Sequence, residues 1–157
     1  MPQFRVYVDT SVIGGCLDEE FAGPSRQLLD WARDGKIMLL VSDVVIDELA
    51  EAPGPVRAIF AGLPIESVER VPVDDRVRSL RDAYLSAGII GPASAYDATH
   101  VAAASVAAAD AICSWNFRHI VRLDRIRAYN EVNVRNGYGT LTIMSPREVN
   151  LDEPADG

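Results

Sequence analysis

The segment IMLLVS, residues 37–42, carries five apolar side chains in succession and ends on a serine. A strand with one wet face alternates apolar and polar residues, so an unbroken apolar run of strand length must be covered on both sides. Helical patterns flank it. RQLLDWARDGK before it reads as a helix closed by Gly35, and DVVIDELAEA after it reads as a helix capped by Ser42 and stopped by Pro53 and Gly54. Strand and helix then keep alternating. Residues 4–8 read as a strand, PVRAIFAG as a short helix and IESVERVPV as a strand. DDRVRSLRDAYLSAG is expected to be a helix ending at Gly88, and the Ala-rich GPASAYDATHVAAASVAAAD a helix able to pack closely. AICSW is expected as a strand, FRHIVRLDRIRAYNEVN as helix then loop, and GTLTIMS as the last strand. Such alternation implies βαβ units, hence an α/β fold with a parallel sheet and helices on both faces.

At 157 residues one core is expected, a single domain over 1–150 followed by a polar tail at 151–157. No apolar run approaches the roughly 20 residues that span a bilayer, and no secretory leader pattern opens the chain. A cytoplasmic protein without membrane contact is expected. Cys16 and Cys113 form no CxxC pair, which points to free thiols. The formal net charge of -8 disfavours nucleic-acid binding at first sight, but it is unevenly spread. Between Ser114 and Arg147 six arginines (118, 122, 125, 127, 135, 147) face only Asp124 and Glu131, a local +4 that leaves -12 elsewhere.

Ligands of open parallel sheets bind beyond the carboxyl ends of the strands. Asp9 ends the first strand there, followed by Thr10 and Ser11, and Asn116 follows AICSW. On the helix after IMLLVS, Asp47 shares a face with Asp43 and Glu51, whereas Glu48 turns toward Val44, Val45 and Ala52. An inward carboxylate needs a partner, a proton or a metal unless its long side chain reaches water from the helix edge. Asp97 stands three residues after Ser94, a capping-box spacing, and a cap does not preclude a second role. His100 reads as a hydrogen-bonded packing residue. Asn116 is either a helix cap or a neutral oxygen ligand. If Asp9, Glu48 and Asp97 converge, their charge calls for a hard divalent ion, Mg²⁺ or Mn²⁺.

The segments YVDTSVI, SDVVIDELAEAP, YDATHVAAASVAAADAICSWNFRHI and TIMSPREV, in this order and over nearly the whole chain, resemble a PIN domain. The likeness is greatest to the VapC-type toxins of bacterial toxin-antitoxin pairs. The resemblance implies a three-layer α/β/α sandwich with a five-stranded parallel sheet and a metal-dependent endoribonuclease. It carries the family's three acids onto Asp9, Glu48 and Asp97 as catalytic metal ligands, with Ser11 as the hydroxyl beside the first; Ser11, with Asn116, is expected to hold ligand waters or phosphate oxygens of the substrate. The family's fourth acid falls on Asn116, a departure that removes a negative charge and bears on a second metal more than on the first. Arg118 and Arg122, read as one turn apart on the helix leaving the site with His119 beside them, are candidates for the RNA backbone. An antitoxin partner and a homodimer complete what the resemblance implies. Two other readings stand beside it. One is phosphoryl transfer through Asp9, which usually needs a second acid where Ser11 stands; the other is a catalytically weak PIN-like module that acts by binding protein.

Overall fold

The computed structural model describes residues 3–151, so residues 152–157 of the expected polar tail lie outside the described residues. Five strands form one sheet: β1 (Phe4–Val8), β2 (Ile37–Ser42), β3 (Val68–Val71), β4 (Ala111–Cys113) and β5 (Thr142–Met144). All pairings are parallel, in the order β3-β2-β1-β4-β5. The chain therefore walks outward from β1 to β3, returns across the sheet to β4, and continues to β5. The reversal makes the gap between the carboxyl ends of β1 and β4 the switch point.

Seven helices cover the sheet: α1 (Thr10–Gly15), α2 (Ala22–Arg33), α3 (Asp43–Ala50), α4 (Gly54–Ala61), α5 (Asp75–Ser86), α6 (Ala95–Val106) and α7 (Leu123–Arg135). Right-handed crossovers put the helices that lead outward to β3 on one face and those of the return path on the other. The packing agrees, since α1 meets α2, α3 and α4, while α5 meets α6 and α7. This is the three-layer α/β/α sandwich expected. Leu39, Leu40 and Val41 of β2 are all at most 1% exposed, which accounts for the absence of alternation in that strand. In α6 residues 98–105 are buried without interruption, and four of them are alanines that let the helix lie close across β2 and β4.

Local chemistry ends several elements where the sequence placed their ends. Gly35 follows α2 with φ +78°, a conformation that favours glycine. Ser42 caps α3 by accepting from Val44 N at 3.2 Å. Three expectations fail. The six residues of α1 were not foreseen, because a helix containing Val, Ile and two glycines has little intrinsic preference for that state. Ser94 makes no side-chain cap bond to α6, so the capping box with Asp97 is absent. Residues 117–120 form isolated turns, and helix begins only at Leu123 after an extended Arg122 (φ -149°, ψ 131°). Arg118 and Arg122 therefore do not share a helical face. Both cysteines are buried free thiols, as expected, and burial pushes the Cys113 thiol up to about 12. Among the described residues no helix is long and apolar enough to cross a membrane.

Candidate active site at the switch point

Asp9 leaves β1 as the residue before α1, with extended backbone and no cap bond from its side chain. It is 4% exposed, and its carboxylate is held from both sides. Ser11 Oγ donates to Oδ1 at 2.5 Å and Ser114 Oγ donates to Oδ2 at 2.6 Å. The same hydroxyls accept in turn, Ser11 from Trp115 N at 3.0 Å and Ser114 from Asn116 N at 2.9 Å. Two of these hydrogen bonds, Ser114 to Asp9 and Trp115 to Ser11, tie the end of β1 to the end of β4, which stops at Cys113 where the sequence suggested a strand over AICSW. Ser11 serves to position Asp9. Burying a carboxylate is tolerable only with such donors.

Trp115 can lie against this junction because Gly15 has no side chain. A Cβ there would stand 2.8 Å from Trp115 Nε1 and 2.7 Å from Ser25 Oγ, the pair joined by the indole hydrogen bond at 2.8 Å. Phe21 stacks on Trp115 with ring centres 4.1 Å apart, and the Arg147 guanidinium covers the indole at 5.1 Å.

Glu48 turns inward from α3 while Asp47 is exposed, as the helical spacing implied. Its Oε1 accepts from Thr10 Oγ1 at 2.8 Å and meets His100 Nε2 at 2.9 Å. Behind His100 a buried chain continues, with Nδ1 2.8 Å from Tyr7 Oη and Tyr7 Oη 2.7 Å from Ser42 Oγ. Burial drives the Tyr7 phenol far above its ordinary value, so it stays protonated within this chain. Burial also pushes the Glu48 carboxyl up, but the hydrogen bond and charge of His100 and the Thr10 hydroxyl outweigh it and hold the group below its ordinary value. His100 is accordingly the hydrogen-bonded packing residue expected, and one that acts on Glu48.

Asp97 sits half-buried in the first turn of α6. Burial raises its carboxyl above the ordinary value and the Asp9 charge adds to the rise, while His100, His119 and a hydrogen bond from Asn116 oppose it. Asn116 is oriented by its other bonds. Its Oδ1 accepts from Arg118 N at 3.1 Å and His119 N at 2.8 Å, which leaves its amide N–H groups to face Asp97. Asn116 is thus a turn cap whose side chain also acts on Asp97. Arg118 is exposed, whereas Arg122 pairs with Asp124 at 2.9 Å. Two further arginines of the basic segment are committed elsewhere, Arg125 to Ile89 O and Arg147 to the aromatic stack.

Of the three acids foreseen in the sequence, Asp9 follows β1, Glu48 lies on the helix that follows β2 and Asp97 opens α6; the Asp9 charge acts on Asp97, and His100 bonds to Glu48. Thr10, Ser114 and the Tyr7–His100 chain were not foreseen as site residues. Only the position of Ser114, directly after a buried strand, hinted at its part. Among the described residues no three His, Cys, Asp or Glu side chains stand close enough to enclose a cation ready-made. The donor chemistry nevertheless fits a hard divalent ion, because Mg²⁺ is typically held by one or two carboxylates with waters completing the shell.

A three-layer α/β/α sandwich on a five-stranded all-parallel sheet is the class that the fold defines. No family profile matches the sequence and no curated protein matches it. Solved structures do. A chain of VapBC2 from Rickettsia felis, bound to a DNA fragment from their promoter, superposes with a TM-score of 0.57 at 11% identity, over 89% of this chain and 97% of that one. A chain of FitAB bound to an IR36 DNA fragment gives 0.54 at 15% identity, over 94% and 99%. The PIN-like fold that the sequence resemblance implied is therefore the fold of this chain.

Proposed function

We propose that the protein is a divalent-metal-dependent endoribonuclease of the PIN type and the toxin of a toxin-antitoxin pair. The observation that supports the reading is the buried Asp9 carboxylate at the end of β1, fixed on both oxygens by Ser11 and Ser114, with Glu48 bonded to Thr10, the next residue. In this reading Asp9, Glu48 and Asp97 hold Mg²⁺ or Mn²⁺, which when bound polarises the phosphodiester and makes water a better nucleophile. Ser11 and Ser114 fix both oxygens of Asp9, so the carboxylate presents one orientation to a ligand. His100 keeps Glu48 ionised, and Asn116 holds Asp97 in place from the β4 side. Arg118, exposed two residues beyond Asn116, is placed to meet a phosphate.

The likeness to chains of VapBC2 and FitAB supports an antitoxin as the protein partner, and a homodimer is proposed on the family resemblance. Phosphoryl transfer through Asp9 is disfavoured, since Ser11 stands where that chemistry usually has its second acid. Incubating purified protein, stripped of any co-purifying partner, with RNA and Mn²⁺ tests the proposal. Cleavage that EDTA and Asp97→Asn both abolish is expected. No cleavage by wild type would leave the weak protein-binding module as the better reading.

A further inference from the structure

The segment between β4 and α7 has no regular structure, yet its place against α6 decides how Asn116 meets Asp97. Its internal bonds converge on Asn116. The side-chain Oδ1 accepts from Arg118 N and His119 N, and the main-chain carbonyl accepts from Ile120 N at 3.2 Å and Val121 N at 2.8 Å. These bonds are local, so they fix the shape of the turn and not its place. The buried Ile120 side chain sets the depth at which the turn sits, but apolar packing has no direction. A directional contact comes from α7, where Tyr129 Oη donates to His119 O at 2.9 Å.

Tyr129 is a fixed base for such a contact. It is fully buried, and its ring meets that of Tyr84 edge-on, with centres 4.9 Å apart at 79°. Its helix is tied down along its length. Arg125 donates to Ile89 O, Asn130 exchanges bonds with Leu141 N at 2.6 Å and Leu141 O at 3.1 Å, and Asn133 donates to Ser105 of α6 at 2.9 Å. The two hydroxyls of the ring pair serve different contacts. Tyr84 gives its own to Asn133 and so joins α5 to α7, whereas Tyr129 gives its own to the turn. Burial pushes the Tyr129 phenol far up and the Asp97 charge adds to the rise, which puts the group within electrostatic reach of that carboxylate. Among the described residues two buried side-chain nitrogens lack a hydrogen-bond partner, His119 Nδ1 and Arg125 Nε, one on the turn and one on α7. Buried polar atoms left unpaired cost stability, so stability alone does not account for the arrangement.

We infer that Tyr129 is a positioning residue of the proposed nuclease site: by holding the His119 carbonyl, its hydroxyl sets where Asn116 meets Asp97, and hence the direction in which Asp97 faces a cation. This deepens the nuclease reading and rests on it. The phenol touches neither cation nor RNA and acts through His119 and Asn116. Its leverage comes from precision, because Mg²⁺ tolerates little departure from octahedral geometry and a ligand not locked by its neighbours loses that geometry.

The test compares Tyr129→Phe with Tyr84→Phe, each of which removes one buried hydroxyl from the same ring pair. Amide hydrogen exchange in EDTA reads the turn, Mn²⁺ titration reads the site, and urea unfolding reads stability. Tyr129→Phe should speed exchange at Arg118, His119, Ile120 and Val121 about 2- to 10-fold and weaken Mn²⁺ binding by a similar factor, the worth of one hydrogen bond. In Mn²⁺-dependent RNA cleavage it should lower kcat at limiting Mn²⁺ and recover it at saturating Mn²⁺, with KM for RNA unchanged. Tyr84→Phe should lose at least as much stability, yet leave turn exchange, Mn²⁺ affinity and cleavage as in wild type, because the turn amides exchange by local opening. Wild-type exchange and Mn²⁺ affinity in Tyr129→Phe would overturn the inference while leaving the nuclease reading standing. Equal weakening of Mn²⁺ binding by both variants would overturn it too, since the hydroxyls would then act through stability alone. A wild type that neither binds Mn²⁺ nor cuts RNA would remove the nuclease reading, and this inference with it.

Discussion

Replacing Asn116 by aspartate changes one heavy atom and should reveal whether the site is short of positive charge. Aspartate keeps the turn, because one carboxylate oxygen can accept from Arg118 N and His119 N as the Asn116 carbonyl does. The other oxygen replaces the amide donor to Asp97. Losing a hydrogen bond to a charged group costs about 1.5–3 kcal/mol. Two carboxylates about 4 Å apart repel by roughly 4 kcal/mol at an effective dielectric constant of 20. The pair escapes full repulsion by keeping one proton, which from an ordinary carboxyl value near 4 costs about 4 kcal/mol at pH 7.

The variant should therefore be less stable than wild type by about 3–4 kcal/mol at pH 7 in EDTA. Its native state binds a proton that the unfolded chain has released, so the deficit grows as pH rises above about 4. It should shrink by up to 1.4 kcal/mol for each pH unit descended, until the unfolded carboxyls protonate as well. Urea unfolding between pH 4 and pH 8 measures this slope directly, and millimolar Mn²⁺ should recover much of the deficit by neutralising the pair. A flat difference below about 1 kcal/mol across this range would refute the Asn116–Asp97 contact, and with it the electrostatic argument for the crevice.

Three further outcomes follow from the same geometry. Gly15→Ala forces a methyl group against Trp115 and Ser25; it should cost about 1–3 kcal/mol and shift the tryptophan emission as the indole is displaced. Glu48→Gln should destabilise the metal-free protein at neutral pH. The folded Glu48 carboxyl lies below its ordinary value, so its contribution is present above the unfolded value near 4.3 and disappears as pH falls through the folded one, where parallel melts of both proteins should converge. Arg118→Ala should lower the salt slope of single-stranded RNA affinity by about 0.7, whereas Arg122→Ala, already paired with Asp124, should lower it less.

The fold was legible where a single physical cause governed the residue pattern. IMLLVS had to be a strand covered on both faces, and the helical spacing of Asp47 and Glu48 sorted water from crevice. The resemblance supplied the acids and the structure supplied their setting. What escaped was decided by tertiary contact. Ser94 fits the first half of a capping box, yet its hydroxyl lies 3.5 Å from His119 Nε2 and caps nothing. FRHIVR has a helix-compatible composition, but Asn116 closes a local turn, and the chain extends at Arg122 before α7 begins. Ser114, expected inside the AICSW strand, proved to be half of the clamp on Asp9, because only the pairing of β1 with β4 brings the two side by side.

The central claim is that Asp9, Glu48 and Asp97 share one divalent cation, and isothermal titration with Mn²⁺ reads it without any assumption about substrate. Wild type should bind at a saturable site, and Asp9→Asn and Asp97→Asn should each remove most of the heat, while Asp47→Asn on the solvated face of α3 leaves it unchanged. Equal binding by wild type and the Asp9 and Asp97 variants, or no saturable binding by wild type, would contradict the account.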